Sequence, residues 1–257
     1  MEHPILSVRD LARRYGERVG CADVGFDLWP GEVLAVVGES GSGKTTLLNC
    51  VAGRRAPSAG TVRYRMRDGV MRDLASLGEA ERRLLMRTDW GFVHQNPADG
   101  LRMRVSAGAN VGERLMAIGD RNYGRIRATA CDWLARVEIP PDRVDEPPTA
   151  FSGGMRQRLQ IARNLVTHPR LVFMDEPTGG LDVSVQARVL DLLRGLVAEL
   201  GLAAVVVTHD LAVARLLSQR MVVMKDGRIV EEGLTDRVLD DPRHPYTQLL
   251  VASVPEF

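Results

Sequence analysis

The residues Gly38-Glu39-Ser40-Gly41-Ser42-Gly43-Lys44-Thr45 decide the fold of this chain. They fit the pattern G-x-x-x-x-G-K-[ST], in which a glycine-rich turn joins a strand to a helix and cradles phosphate groups. The apolar run 32–37 before the turn is typical of a buried strand, and residues 45–49 after it begin a helix. Strand, spacing and the Lys-Thr pair agree, so the sequence predicts a phosphate-binding loop rather than an ordinary glycine-rich turn.

Each residue type in this loop has a chemical reason. Gly38, Gly41 and Gly43 allow the backbone to wrap closely around phosphates with its N–H groups pointing inward. The first turn of the following helix adds a partial positive charge. We therefore expect Lys44 to reach the β- and γ-phosphates of a nucleotide, and the hydroxyl of Thr45 to bind Mg²⁺.

The composition narrows the class of protein. The chain has 257 residues, enough for one large domain with a proper core, and 34 basic residues nearly balance 33 acidic ones. This balance argues against a nucleic-acid partner. The apolar runs are no longer than a strand and no apolar leader is visible, so we expect no direct membrane insertion. Three widely spaced cysteines, Cys21, Cys50 and Cys131, predict reduced thiols in a cytoplasmic protein.

The order of apolar patterns along the chain indicates its architecture. Residues 5–9 and 24–28 alternate between apolar and polar, as half-exposed strands do. From about 97 to 148, strand-like runs give way to apolar residues at helical spacing. Further apolar strands are expected at 171–174, 205–207 and 221–224. The predicted fold class is α/β: a mixed, mostly parallel core sheet, an N-terminal antiparallel β subdomain and an inserted α-helical subdomain.

Polar residues follow two of these strands. Asp175-Glu176 ends one strand, and Thr208-His209-Asp210 ends another. Carboxylates there suit Mg²⁺ and the activation of an attacking water, although a plain turn is an equally good interpretation of Asp175-Glu176 taken alone. Ser152-Gly153-Gly154 opens a helix with a good N-cap and two small residues that suit an anion. A capped helix without a ligand is the alternative for that motif.

In this order, the motifs resemble the ATP-binding cassette (ABC) family of ATPases over essentially the whole chain. The matching positions are Tyr15, Gly38–Thr46, Gln95, Ser152-Gly153-Gly154, Asp175-Glu176, Asp182 and His209. The resemblance implies a P-loop NTPase fold in one domain, residues 1–257, which binds ATP with Mg²⁺ and hydrolyses the ATP. The implied division is a core with β subdomain at about 1–96 and 156–240, a helical insert at about 97–155 and a C-terminal docking tail at about 241–257.

The resemblance also implies a role for each matching residue. Tyr15 would stack on adenine. Gln95 would contact Mg²⁺ or the attacking water and connect the core with the helical insert. Glu176 would orient or deprotonate that water, and His209 would contact the γ-phosphate. The implied catalytic set is Glu176, His209, Gln95 and Lys44. The implied metal ligands are Thr45, Gln95 and Asp175.

The signature motif implies that two copies act together. At the positions of Ser152 and Gly154, the family acts on the γ-phosphate bound to the other copy, and the loop at Asp182 crosses between copies. Because the chain contains a single cassette, the resemblance implies a head-to-tail homodimer with two ATP between its halves. The implied nucleotide contacts are Tyr15, Gly38, Ser40, Gly41, Ser42, Gly43, Lys44, Thr45, Thr46, Gln95, Ser152, Gly153, Gly154, Asp182 and His209.

Two branches of the family fit the chain. Residues 182–187 and 241–250 are similar to the ATPases of peptide and nickel importers, whose partners are transmembrane permease subunits. Residues 87–95, 99–102, 111–117 and 152–169 are more similar to the ATP-binding K subunits of the carbon–phosphorus lyase system for phosphonate breakdown. We favour the second branch, which implies a soluble carbon–phosphorus lyase core as partner. An importer subunit is the alternative, as is an assembly factor that binds ATP and seldom hydrolyses it.

Two positions depart from the family pattern. Met155 replaces the usual Gln of the signature motif, and Gly180 stands where the loop between copies usually has Ala or another small side chain. Neither change removes a group that would donate to the γ-phosphate. We therefore expect them to affect closure of the dimer and turnover rather than nucleotide binding.

Overall fold

The computed structural model describes residues 3–253. In chain order, the strands are β1 (Leu6–Tyr15), β2 (Arg18–Leu28), β3 (Val33–Val37), β4 (Ala59–Arg65), β5 (Met71–Asp73), β6 (Trp90–Val93), β7 (Leu171–Asp175), β8 (Ala203–Val207), β9 (Arg220–Lys225) and β10 (Arg228–Leu234). The α-helices are α1 (Lys44–Val51), α2 (Glu79–Thr88), α3 (Pro97–Gly100), α4 (Ala107–Ala117), α5 (Tyr123–Arg136), α6 (Gly153–Leu165), α7 (Val183–Leu200), α8 (Leu211–Leu217), α9 (Thr235–Asp240) and α10 (Pro245–Ala252). Short 3-10 helices cover Leu74–Ser76, Pro141–Asp145 and Pro148–Ala150.

The chain divides into two compact units. The first unit comprises Met1–Arg82 and Gly201–Phe257, and the second comprises Arg83–Leu200. The phosphate-binding loop and His209 therefore belong to the first unit. Gln95, the Ser152 motif and the acidic pair after β7 belong to the second.

The first unit contains the predicted N-terminal antiparallel sheet, with strand order β2-β1-β4-β5. Strand β1 pairs on both sides, so that Leu6 lies opposite Leu28 of β2 and Tyr64 of β4. The pairing of β1 with β2 shifts register between Val8 and Leu11, and both of these side chains are fully buried. An extra residue in a strand reorients the side chains that follow it, which explains how both reach the core.

The remaining strands of the first unit provide its parallel pairing. Strand β3 pairs in parallel with β8 and with β9, and β10 pairs with β9 in the antiparallel direction. All five residues of β3 and all five of β8 are buried. Parallel strands that are covered on both faces are apolar throughout, which is the pattern seen in the sequence. Because β3 and β8 are parallel, the loop after β3 and the residues after β8 emerge at the same edge of the sheet.

The second unit combines a parallel strand pair with several helices. Strands β6 and β7 run parallel, with Trp90 opposite Leu171. The ring of Trp90 packs edge-on against Phe173, with ring centroids 5.2 Å apart. Between residues 97 and 152 the structure contains helices and turns but no strand, as the helical spacing predicted. Helix α5 buries Trp133 in this region.

Helix α7 buries a slightly different face from the one that its sequence pattern indicates. Apolar residues at helical spacing predict one face of a long helix through Val185, Val189, Leu192, Leu196 and Leu200. In the structure Val189, Leu193 and Leu196 are buried, while Leu192 is only half-buried. Residues four apart share one helix face, so Val189 and Leu193 lie at the centre of the buried face.

Three further features of residues 3–253 bear on function. No helix in this range is long and apolar enough to cross a membrane. Cys21, Cys50 and Cys131 form no disulfide, and the first two are buried. No group of three or more His, Cys, Asp or Glu side chains in the same range is placed to hold a metal ion.

Candidate functional site

The phosphate-binding loop lies in the first unit, between β3 and α1. Gly38, Gly41 and Gly43 have φ angles of +146°, +84° and +100°, a region that favours residues without a Cβ. A Cβ on Gly38 would lie 2.3 Å from the carbonyl oxygen of Met224, and one on Gly43 would lie 2.2 Å from that of Gly20. Only glycine fits at these two positions, because the contacts are with rigid backbone.

Two polar side chains of the loop suit a bound anion. The buried Lys44 ammonium donates to the carbonyl oxygens of Gly38 and Glu39, at 2.6 and 2.8 Å. The hydroxyl of Ser42 is also buried and has no hydrogen-bond partner among residues 3–253. Helix α1 starts at Lys44, and no side chain caps its N-terminus. A phosphate would pair with the lysine, satisfy the serine and meet the helix N-terminus, so the residues present fit this ligand.

Tyr15 lies at the end of β1 and is 36% exposed. The guanidinium groups of Arg13 and Arg55 lie 5.0 and 5.3 Å from the centre of its ring, within the range of cation–π attraction. Arg55 also donates to the Tyr15 hydroxyl at 2.9 Å. These contacts hold the ring in one place. The predicted stacking of Tyr15 on adenine is not tested by the structure and stays a prediction.

His209 is exposed directly after β8. Its neighbours fix the backbone around it: the hydroxyl of Thr208 accepts the N–H of Asp210 at 3.1 Å. The Asp210 carboxylate caps α8 by accepting the N–H groups of Ala212 and Val213. Because β3 and β8 are parallel, the histidine follows its strand at the edge where the phosphate-binding loop begins.

The acidic pair Asp175-Glu176 ends β7 in the second unit, and both side chains are half-buried. Glu176 has a φ of +45°, in the left-handed region that glutamate rarely adopts. Backbone strain of this kind is concentrated at functional sites. Glu176 shares this backbone conformation with Glu138, so the functional role of the acidic pair stays a prediction.

Gln95 is exposed just after β6. A Cβ on Gly179 would lie 3.3 Å from the side-chain nitrogen of Gln95, so this glycine allows the glutamine to approach closely. The N–H of Gly179 in turn donates to the carbonyl oxygen of Glu176 at 2.9 Å. The structure therefore brings Gln95 together with the loop that starts at Glu176.

Two buried polar side chains of α6 hold the strand that leads to Gln95. Asn164 accepts the N–H of Phe92 at 2.9 Å. One helical turn earlier, the amide group of Gln160 accepts the N–H of His94 at 2.6 Å and donates to its carbonyl oxygen at 3.1 Å. On this side of β6, side-chain amides thus make the hydrogen bonds that a neighbouring strand would otherwise make.

A third side chain of α6, Gln157, extends this network to the loop after Glu176. Its amide nitrogen donates to the carbonyl oxygen of Pro177 at 2.7 Å, and its oxygen accepts from Gln160 at 3.1 Å. Gln157 and Gln160 are 1% and 0% exposed. Buried hydrogen bonds of this kind are costly to break, so α6 holds both the Gln95 strand and the residues after the acidic pair.

The start of α6 follows the sequence prediction for an N-cap. The hydroxyl of Ser152 accepts the N–H of Met155 at 3.3 Å. A Cβ on Gly154 would lie 2.3 Å from Cγ1 of Val185, so packing within the second unit requires glycine there. A Cβ on Gly153 would lie 3.7 Å from Cδ2 of Leu181, so no contact among residues 3–253 requires this glycine.

The first departure from the family pattern, Met155, makes a specific contact. Its sulfur lies 3.4 Å from a guanidinium nitrogen of Arg143, and the same guanidinium lies 4.7 Å from the centre of the Phe151 ring. Met155 therefore packs in a small cluster at the start of α6. This cluster lies beside the N-cap Ser152 and takes the place of no backbone N–H group at the start of α6.

The second departure, Gly180, has a backbone explanation. Its φ is +74°, and among residues 3–253 no atom beyond its two chain neighbours lies within 4 Å of the position of a Cβ. Alanine would be strained there by its own backbone rather than by a neighbour. The loop continues to Asp182, which is exposed, and to Val183, which is 85% exposed. The loop thus presents an apolar side chain and a carboxylate on the surface of the second unit.

Several residues around the site belong to no motif that the sequence analysis singled out. Arg13 and Arg55 beside Tyr15 gave no signal, since arginine side chains are usually exposed to solvent. Gln160 and Asn164 could have been found from the sequence, because polar residues on the inner face of an otherwise apolar helix indicate buried hydrogen bonds.

Comparison with known proteins identifies the family. Residues 21–179 match the family model described as ABC transporter. The chain belongs to the ABC ATPase family. Over 99% of its length, this ABC ATPase is 67% identical to PhnK of Escherichia coli (strain K12), a phosphonates utilization ATP-binding protein, and the match covers 99% of PhnK. It is 36% identical to the dipeptide transport ATP-binding protein DppF of the same strain, across 99% of the chain and 78% of DppF.

A solved structure confirms the predicted fold class of this ABC ATPase. The dimeric, post-hydrolysis structure of the ATP-binding cassette MJ0796 bound to ADP and Pi has a TM-score of 0.78 at 30% identity, covering 90% of the chain and 98% of that cassette. Residues 230–257 also match the C-terminal region of oligopeptide/dipeptide transporters. Together the comparisons confirm the predicted family and its ATP-hydrolysing activity, while the roles of individual site residues stay predictions.

Proposed function

We propose that this ABC ATPase serves phosphonate utilisation by coupling the binding and hydrolysis of ATP to a soluble carbon–phosphorus lyase core in the cytoplasm. The observation that carries the proposal is the 67% identity to PhnK over 99% of both chains. The peptide-transport relatives reach only 36–39% identity over 78–80% of their length. In this proposal other subunits break the carbon–phosphorus bond, and this chain supplies the response to ATP.

The first unit would hold the triphosphate. Lys44 would leave the carbonyl oxygens of Gly38 and Glu39 to pair with the β- and γ-phosphates, and the Ser42 hydroxyl would gain the partner that it lacks. Tyr15 would stack on adenine, and His209 would contact the γ-phosphate. The implied Mg²⁺, which neutralises charge on the phosphates, would be held by Thr45, Gln95 and Asp175.

The second unit would supply the group that activates water. Glu176 would orient the attacking water or accept its proton, and its half-buried carboxylate on a strained backbone supports this role. Gln95, which lies against the loop after Glu176, would position the same water. Hydrolysis then transfers the γ-phosphoryl group to water and leaves ADP and phosphate.

We further propose that two copies close head to tail around two ATP. Ser152 and Gly153 are exposed at the start of α6, and no contact in the part of the chain that the structure describes explains the glycine. A glycine at an exposed helix N-terminus suits the close approach of a phosphate held by a second copy. The dimeric state of the MJ0796 cassette supports this arrangement. Exposed Asp182 and Val183 would contact the other copy beside each nucleotide.

The experiment that tests the partner is co-purification in Mg-ATP. A tagged Glu176→Gln chain, isolated from cells grown on a phosphonate as phosphorus source, should bring down soluble carbon–phosphorus lyase subunits. The matched control Lys44→Ala should lose them, because it lacks the group that holds the triphosphate. Recovery of transmembrane permeases in place of the soluble subunits would contradict the proposal and support the importer alternative, which the match at residues 230–257 favours.

A further inference from the structure

The C-terminal segment of the first unit, residues 241–252 with helix α10, packs against the strands that flank the phosphate-binding loop. Tyr246 at the start of α10 is 6% exposed, and it belongs to an apolar cluster with Ala35 and Val37 of β3 and Val223 of β9. Leu250, one turn further along α10, packs against the same cluster. The segment is therefore part of the core beneath the loop.

A set of hydrogen bonds fixes the start of α10. The Glu231 carboxylate accepts the N–H groups of Arg243 and His244, at 2.8 and 3.0 Å. The imidazole Nδ1 of His244 then accepts the N–H of Tyr246 at 3.1 Å and so caps the helix, while Pro245 occupies its first position. Hydrogen bonds to Glu231 thus fix the backbone just before Tyr246, and the hydrogen bond to His244 fixes the backbone N–H of Tyr246 itself.

The hydroxyl of Tyr246 reaches the phosphate-binding loop itself. It accepts the N–H of Glu39 at 3.0 Å. The other end of the same peptide group, the carbonyl oxygen of Gly38, accepts from the Lys44 ammonium at 2.6 Å. One peptide group is therefore held between Tyr246 and the lysine that is proposed to bind the triphosphate. Hydrogen bonds in such a chain polarise and strengthen one another.

The residue before this peptide bond leaves its orientation open. Gly38 has no side chain and a φ of +146°, so its own conformational preferences do not fix the orientation of the peptide. Burial raises the pKa of Tyr246 above its ordinary value, although the Glu39 N–H acts in the opposite direction. Tyr246 is therefore a neutral hydroxyl at physiological pH. The Lys225 ammonium, 5.0 Å from the ring centre, further restrains the side chain.

We infer that Tyr246 is a positioning residue for the phosphate-binding loop. Its hydroxyl holds the Gly38–Glu39 peptide in the orientation that keeps the loop open for a triphosphate, so that the C-terminal segment sets the affinity for ATP. The inference goes beyond the proposed partner and rests on the proposed role of Lys44. Preorganisation of this kind acts on binding, because it removes the cost of ordering the loop when ATP arrives.

The test compares Tyr246→Phe with the wild-type chain. Phenylalanine keeps the buried ring and removes only the hydroxyl. We expect the Kd for Mg-ATP, measured by calorimetry, and the KM for ATP in a phosphate-release assay to rise about three- to tenfold, with kcat within about twofold of wild type. The matched control is Leu249→Ala on the same helix, whose side chain is 71% exposed, and it should leave both constants unchanged.

A third variant separates this inference from the proposed function. Lys44→Ala should abolish ATP binding, and binding that persists in that variant would overturn the proposed role of the loop lysine. If Lys44→Ala loses ATP while Tyr246→Phe keeps the wild-type Kd and KM, only the inference about Tyr246 is overturned. A lowered unfolding temperature in Tyr246→Phe at unchanged Kd would also overturn it, because the hydroxyl would then serve stability alone.

Discussion

At the scale of single residues, the two adjacent glycines at the start of α6 have different causes. A Cβ on Gly154 would lie 2.3 Å from Cγ1 of Val185, whereas one on Gly153 would meet nothing closer than 3.7 Å. Valine in a helix has one strongly preferred rotamer, so Val185 cannot easily turn away. Packing therefore explains Gly154, while the proposed close approach of a nucleotide explains Gly153.

This difference predicts opposite effects of alanine on stability. We expect Gly154→Ala to lower the free energy of unfolding by about 1–3 kcal/mol through overpacking. Gly153→Ala, the matched control, should be neutral or raise it by up to about 1 kcal/mol, since alanine favours a helix more than glycine. Urea unfolding followed by circular dichroism measures both values.

The double variant Gly154→Ala with Val185→Ala tests whether the contact with Val185 causes this loss. The second change should restore most of the stability that Gly154→Ala loses, because it removes the valine methyl group that the new Cβ would meet. Equal stabilities of Gly153→Ala and Gly154→Ala would show that the close contact with α7 does not restrict this position.

At the level of residues, the sequence alone reveals a motif where that motif is local. The phosphate-binding loop could be recognised because its glycines and Lys44 lie within eight consecutive positions. The hydrogen bond between Glu39 and Tyr246 joins residues 207 positions apart, and that between His94 and Gln160 joins residues 66 apart. No spacing rule connects such pairs, because only the folded chain brings them together.

At the scale of elements, α6 holds two segments of the second unit, the one that leads to Gln95 and the one that follows Glu176. Asn164 accepts the N–H of Phe92 in β6, Gln160 accepts that of His94 just after the strand, and Gln157 donates to the carbonyl oxygen of Pro177. A buried N–H that loses its partner costs about 1–3 kcal/mol. The orientation of the Gln95 strand therefore depends on side chains of the helix that begins at Ser152.

Hydrogen exchange can measure each contact of this helix separately. In Gln160→Leu the amide of His94 should exchange faster than in the wild type, while the amide of Phe92 changes less. In Asn164→Leu the order should reverse, since Asn164 holds the Phe92 amide. Each variant is thus the control for the other. Equal acceleration of both amides in both variants would mean that α6 loosens as a whole, contrary to separate contacts.

The sequence predicted most strands but missed β10. Strands β3, β7 and β8 were recognised because their residues are apolar almost throughout, as strands covered on both faces must be. Strand β10 has no clean alternation. It forms because Asp226 and Gly227, with φ angles of +50° and +80°, make a tight turn after β9. Asp-Gly is a hairpin signal, so this strand could have been found from its turn rather than from its pattern.

At the scale of the whole molecule, the fold class followed from the alternation of apolar strands and amphipathic helices, and the family followed from the order of its motifs. The partner could not be derived in this way. Recognition of another protein depends on which surface residues lie side by side, and charged surface residues follow no period in the sequence. The preference for a phosphonate system therefore rests on identity to PhnK rather than on any single motif.

The central proposal also belongs to this scale. A single chain offers the loop lysine Lys44 and the acidic residue Glu176, and its helix start at Ser152 is exposed. Closure by a second copy would supply N–H donors to the γ-phosphate and exclude water from it. Each copy would thus complete the site of the other.

The most direct test is the mass of the Glu176→Gln variant in saturating Mg-ATP, determined by light scattering during gel filtration and repeated with the co-purified partner. We predict a complex of two chains with one ATP per chain, which reverts to single chains when ATP is removed. The double variant Glu176→Gln with Ser152→Arg should bind ATP and stay a single chain. A Glu176→Gln variant that holds ATP as a single chain under all of these conditions would contradict the account.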